Sequence, residues 1–160
     1  MLMTSFLFSI VSTGHSDLRE QLVEHIGKAT SSIDLVVYEI RSTDISDALI
    51  AAKHRGVRVR VIVDSVHSPV ATAQEAALED EGISVKRIGG GSSRKLLHDK
   101  FILFDGSLAS TPSYNRSAKS LRATDEEEAA FTHDKSQIEK LKSEFNEFWN
   151  SSGQDGKVSP

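Results

Sequence analysis

The sequence contains no cysteine. Disulfide staples and thiolate metal sites are therefore excluded, and cysteine usage carries no sign of the redox compartment. It has no excess of positive charge either, since 19 Lys and Arg against 23 Asp and Glu give a formal net charge of -4. No global field steers polyanions to such a chain, so any nucleic-acid site must be a local basic patch. No apolar run is long enough to span a bilayer, and stable membrane insertion is not expected. The apolar opening, Met1 to Val11, has no basic n-region and no small-residue cleavage site. It is expected as a first strand over Phe6 to Val11, with a degenerate secretory signal as the alternative, and the protein is expected in the cytoplasm. No H-E-x-x-H and no paired acidic motif occurs, and His15, His25, His54, His67 and His133 lack metal-ligand spacing among themselves. Neither a metal nor a cofactor is expected.

What is there is ordinary globular material: 160 residues, 38% hydrophobic and 26% charged, without internal repeats. That length suits one domain, taken as residues 1–150, with a flexible polar tail over 151–160. Ser16 or Asp17 can cap a helix through Leu18, Leu22, Val23 and Ile26, ending near Ala29 to Ser32. Ile33 to Ile40 reads as a strand buried on both faces, interrupted by Asp34 and Glu39. A second helix should begin at Ser42 to Asp44 and stop at Gly56. The run V-R-V-R-V-I-V-D from Val57 to Asp64 alternates and then turns wholly apolar, as a strand entering a core does. Ala71 to Glu81 makes a third helix, Gly82 a turn, and Ile83 to Ile88 a strand. Phe101 to Phe104 and Ala129 to Phe131 are further strands, and Ser136 to Trp149 is an amphipathic helix. The alternation predicts an α/β fold with a mainly parallel or mixed sheet flanked by helices on both faces. Gly89 to Arg94, with its three glycines, is expected as a mobile loop or a plain linker.

The chemistry concentrates in His98-Asp99-Lys100-Phe101-Ile102-Leu103-Phe104-Asp105, followed by Ser113-Tyr114-Asn115. On a strand of period two, His98 and Lys100 share a face. An imidazole can act as nucleophile or general acid near neutral pH, and an ammonium is a compact charge for a phosphate oxygen. Read alone, such a pair at a strand edge is more often solvated or structural than catalytic. The whole string, however, resembles the HKD signature of the phospholipase D superfamily, H-x-K-x-x-x-x-D followed after six residues by G-S-x-N. The resemblance extends upstream through Ile33 to Tyr38 and Asp47 to Asp64, and with its single motif the chain resembles the bacterial endonuclease branch. One position departs from it: Pro112 stands where the family has glycine, which removes an amide N–H that could have met phosphate.

The resemblance implies a phospholipase D-like fold and a metal-independent phosphodiesterase with His98, Lys100, Asp105, Ser113, Asn115 and Glu126 as site residues. His98 would attack phosphorus to give a phosphohistidine, Lys100, Asn115 and Ser113 would stabilise the equatorial charge, and Asp105 would anchor the strand end and turn. Glu126 would orient the histidine, while Glu127 and Glu128 read as a solvated acidic loop. Arg94, Lys95 and Arg116 are expected to hold substrate, within a wider basic rim of Lys86, Arg87, Lys119 and Arg122. Asp64 reads as a cap and His67 as a surface-loop residue. In-line displacement needs a second histidine opposite the first, and one motif supplies only one, so a two-fold homodimer is expected. Nucleic acid, DNA or RNA, is the expected substrate. The alternatives are a cardiolipin-type phospholipid and a binding module of the same fold that has lost turnover.

Overall fold

The computed structural model describes residues 18–65, 70–89, 100–112 and 129–151. The expected first strand, the Ser16 or Asp17 cap, His67, the glycine-rich segment after Gly89 and the tail after Ser151 lie outside the described residues. In chain order the elements are α1 (Leu18–Lys28), β1 (Ser32–Val37), α2 (Thr43–His54), β2 (Arg58–Asp64), α3 (Ala73–Asp80), β3 (Ser84–Ile88), β4 (Phe101–Phe104), β5 (Leu108–Pro112), β6 (Ala129–Thr132) and α4 (Lys135–Asn150). Among the described residues these form a six-stranded sheet in the order β3-β2-β1-β4-β5-β6. The sheet is mixed: β1 pairs with β2 and β2 with β3 in parallel, and the remaining three pairings are antiparallel.

Strand pleating sorts the apolar residues into two cores. Ile33, Leu35, Val59, Val61, Val63, Ile102 and Phe104 face one way, against Ile26 of α1, Ile45 and Leu49 of α2 and Leu78 of α3. Val36, Ile62, Ile88, Phe101, Leu103 and Ala109 face the other, against Ile138 and Phe145 of α4. Burial on both faces is why β1 and the end of β2 read as nearly unbroken apolar runs.

Asp34, the charge that interrupts β1, is only 8% exposed. Its parallel neighbour in register is Arg60, which meets it with two hydrogen bonds of 2.7 and 2.8 Å. The same guanidinium lies 4.6 Å from the Phe145 ring centroid and 5.2 Å from that of Trp149, so the pair also docks α4.

The helix starts follow local capping chemistry. Ser42 accepts from the Ile45 N–H, Asp134 from the Gln137 N–H, and Thr72 with Glu75 makes a reciprocal capping box. The helix ends before Gly56 and Gly82 carry those residues at φ 91° and 76°, a conformation glycine adopts without strain.

Two elements differ from expectation. β1 ends at Val37 rather than Ile40, because the Ile40 N–H donates to the Glu75 carboxylate at 3.0 Å and its carbonyl accepts from the Thr72 hydroxyl at 2.6 Å. Those bonds pull the chain out of the sheet towards α3. The strand at Leu108–Pro112 has no alternating pattern of its own, and its signal is the Asp105-Gly106 pair before it. Both residues have positive φ (53° and 63°), and the Ser107 N–H closes the turn onto the Phe104 carbonyl at 3.0 Å. Positive φ at both central residues gives the tight turn that matches strand twist and folds β5 back on β4.

Candidate functional site

The topology gathers particular strand ends at one edge of the sheet. β1, β2 and β3 all point their C-terminal ends there, at Val37, Asp64 and Ile88. β4 is antiparallel to β1, with Val36 opposite Phe101, so its N-terminal end, and Lys100 just before it, lie at the same edge. β5 leaves the sheet there at Pro112, and β6 re-enters opposite it at Ala129. Carboxyl ends of parallel strands are the usual place for a ligand in open α/β sheets, because the loops leaving them converge.

Lys100 is partly buried, and its Nζ sits 4.0 Å from the centroid of the Tyr38 ring. Tyr38 is the residue that follows β1, and its carbonyl accepts from the Asp64 N–H at 3.2 Å. Asp64 is 1% exposed, which makes it a strand-end residue of the core, beyond the cap that its sequence position suggests. Burial first, and then the Asp64 charge, push the Tyr38 phenol above its ordinary value, so it stays neutral. Behind this edge the fully buried Glu75 bonds the amides of Ile40 and Thr72 and pairs with Arg87 at 2.7 Å. Sequence reasoning overlooked Tyr38 as a site residue; the available signal was its place at the end of a parallel strand.

Asp105 lies at the other end of β4. It is five positions beyond Lys100 along the chain, about 16 Å at strand spacing. Its carboxylate accepts from the backbone amides of Thr30, Ser31 and Ser32 at 2.7 to 3.1 Å and from the Ser31 hydroxyl at 3.0 Å. Its own N–H donates to the Ser32 carbonyl at 2.8 Å. Burial raises the Asp105 carboxyl, but the amides of Ser31, Ser32 and Thr30 and the Ser31 hydroxyl outweigh it and hold the group at about 2. The motif's aspartate thus clasps the turn after β4 to the entry of β1.

His98, Ser113, Asn115, Glu126, Arg94, Lys95 and Arg116 lie outside the described residues, as do Glu127, Glu128, Lys119 and Arg122. Of the expected basic rim, the two described members are engaged elsewhere. Lys86 faces α4, with its Nζ 5.0 Å from the Trp149 ring and donating to the Trp149 carbonyl, and Arg87 pairs with Glu75. Strand pleating turns each of them under a helix, which their sequence proximity to the motif does not reveal. The described histidines have local partners away from the Lys100 edge. His54 meets Glu81 at 2.8 Å, His133 meets the Ser107 carbonyl at 2.9 Å, and His25 packs against Phe104 and Phe131. Pro112 ends β5, in register with Ala129.

This arrangement has known counterparts. Residues 22–149 match the family described as cardiolipin synthase, PLD-like domain. The chain is 26% identical over 129 residues to a mitochondrial cardiolipin hydrolase of Chlamydomonas reinhardtii and 28% identical over 132 residues to that of Danio rerio. It covers 56% and 57% of the length of those two relatives. Among solved structures it is similar to Nuc from Salmonella typhimurium, a phospholipase D family member, with a TM-score of 0.68 and 27% identity over 82% of this chain and 86% of that one. NucT from Helicobacter pylori shares the fold, with a TM-score of 0.63, 21% identity and the same coverage. With a mixed sheet flanked by helices, Lys100 and Asp105 at the two ends of one strand, and a family match across most of its length, this chain belongs to the PLD-like domain family of the phospholipase D superfamily.

Proposed function

We propose that this chain is one half of a metal-independent phosphodiesterase that cleaves DNA or RNA, its site completed when a second copy pairs across a two-fold axis. The observation that carries the reading is the single sheet edge at Lys100. The connection holding Arg94, Lys95 and His98 enters β4 there, and the connection holding Ser113, Asn115, Arg116 and Glu126 both leaves β5 and enters β6 there. His98 is two residues from a positioned ammonium, and a nucleophile beside fixed positive charge is what phosphoryl transfer requires.

In the proposed sequence an imidazole nitrogen of His98 forms a bond to phosphorus while the bond from phosphorus to the leaving oxygen breaks. His98 of the partner subunit gives that oxygen its proton, and then takes one from water as the water oxygen displaces the first imidazole. Lys100, Ser113 and Asn115 stabilise the charge on the equatorial oxygens, Glu126 orients the histidine, and Asp105 holds β4 from its far end.

A second substrate class has its own support: the curated relatives carry the name cardiolipin hydrolase, and the same phosphodiester chemistry would serve a cardiolipin-type phospholipid. One experiment addresses both. Single-stranded DNA, single-stranded RNA and vesicles containing cardiolipin are each incubated in EDTA with wild type and His98→Ala, and the molecular mass is measured by sedimentation. The nuclease reading expects nucleic-acid cleavage by a dimer, lost in His98→Ala with the dimer retained, and binding that weakens steeply with salt. Cleavage confined to cardiolipin would move the assignment to the lipid reading. A requirement for added divalent metal, a monomeric active species, or unimpaired His98→Ala would overturn the mechanism.

A further inference from the structure

We propose that Tyr38 is a positioning residue for Lys100, its ring face holding the ammonium at the sheet edge where the phosphate is bound. The inference rests on the reading of Lys100 as a phosphate-binding group. A lysine has a long flexible stem, and its rotamer freedom opposes holding the charge at one point. Preorganised charge is what a charge-stabilising site needs, because little reorganisation then accompanies the reaction. The Lys100 Nζ is 4.0 Å from the Tyr38 centroid, well inside cation–π range. An aromatic face attracts an ammonium through its quadrupole and so restricts where the charge sits.

The ring is itself fixed. The backbone at residues 38–40 is tied on one side by the Asp64 N–H to the Tyr38 carbonyl, and on the other by the bonds of Ile40 to Glu75 and Thr72. Thr72 and Glu75 also make the α3 capping box, so the helix start and the Tyr38 platform are held by the same groups. A neutral phenol, kept so by burial and by Asp64, presents its face without competing as an anion. The geometry requires the ring and not the hydroxyl.

Tyr38→Leu, Tyr38→Phe and Lys100→Ala are compared with wild type for turnover of bis-p-nitrophenyl phosphate in EDTA, for binding of inorganic phosphate by calorimetric titration, and for urea midpoint. The expected result is a kcat lowered about tenfold in Tyr38→Leu with KM little changed, and a Tyr38→Phe variant within about twofold of wild type. A ring that served packing alone would lower the urea midpoint of Tyr38→Leu and leave kcat of the folded protein unchanged, which would overturn the proposal. So would a Tyr38→Phe defect as large as that of Tyr38→Leu. If wild type hydrolyses nothing, the proposed function fails, and phosphate affinity then decides Tyr38 separately. Weakening in Tyr38→Leu and Lys100→Ala with recovery in Tyr38→Phe supports it, whereas equal affinity in all, or no phosphate binding by wild type, overturns it.

Discussion

Replacing Asp105 with asparagine isolates the charge of the clasp from its backbone geometry. Asp105 has φ 53°, a conformation that Asn adopts about as readily as Asp, so the substitution adds little strain where alanine would add some. What is lost is a carboxylate that accepts from three amides and a hydroxyl. The gap between the ordinary value of 3.8 and about 2 corresponds to at most about 2.5 kcal/mol, at 1.36 kcal/mol per tenfold change. Asp105 is only partly buried, so solvent screening reduces this to about 1–2 kcal/mol. For a chain of this size the melting temperature should fall by about 3–6 °C at pH 7.

The sign with pH follows from linkage. The folded carboxyl is depressed, so the folded state binds fewer protons than the unfolded one between pH 4 and 2. The contribution is complete above about pH 5 and is lost as pH falls through the folded value near 2. Urea unfolding of wild type and Asp105→Asn at pH 7 and pH 3 should therefore show a stability difference about half as large at pH 3. Because Asp105 is about 16 Å along the strand from Lys100, kcat of the folded variant should stay within about threefold of wild type. A difference independent of pH would refute the clasp, and a collapse of kcat in a fully folded variant would put the Asp105 carboxylate in the chemistry.

Asp34→Asn leaves the Arg60 guanidinium without its anion at a site that is 18% exposed, and should cost about 2–4 kcal/mol in urea unfolding; a loss under about 0.5 kcal/mol would mean that the aromatic contacts alone hold Arg60. His25 is held below its ordinary value chiefly by burial against Phe104 and Phe131, with Lys28 and His133 adding to this and Glu24 opposing it. A depressed histidine contributes stability that is present above 6.5 and lost as pH falls below it, so His25→Phe should flatten the decline between pH 7 and pH 5, and an unchanged slope in thermal melts would count against this.

The residues show unequally what the chain would build. Local signals were sufficient where a few neighbours decide the outcome: the helix start at Ser42, the stops at Gly56 and Gly82, the alternation of Val57 to Asp64, and the spacing from His98 to Asp105 that gives the family. Each depends on side chains within a turn or a strand of one another, so the order of residues already contains the physics. The Asp105-Gly106 turn is just as local, and β5, which is not among the strands predicted from the sequence, follows from it.

Contacts across the sheet are different, because pairing register and the helix that covers each face decide them. Nothing in the sequence couples Asp105 to Thr30, Ser31 and Ser32, more than 70 residues away, until the antiparallel pairing of β4 with β1 brings them together. The same holds for Lys86 and Arg87, which sit near the motif in sequence and yet point under α4 and α3. Asp34 interrupts an apolar run for no visible reason until parallel register puts Arg60 beside it. Tyr38 reads as one more β-prone residue, and only the meeting of the β1 end with the β4 start puts its ring under the Lys100 ammonium. Sequence alone determined most of the elements and the family to which the chain belongs. Tertiary structure decided which charges stand together, because an ammonium and a ring 62 positions apart acquire a common location only through strand order.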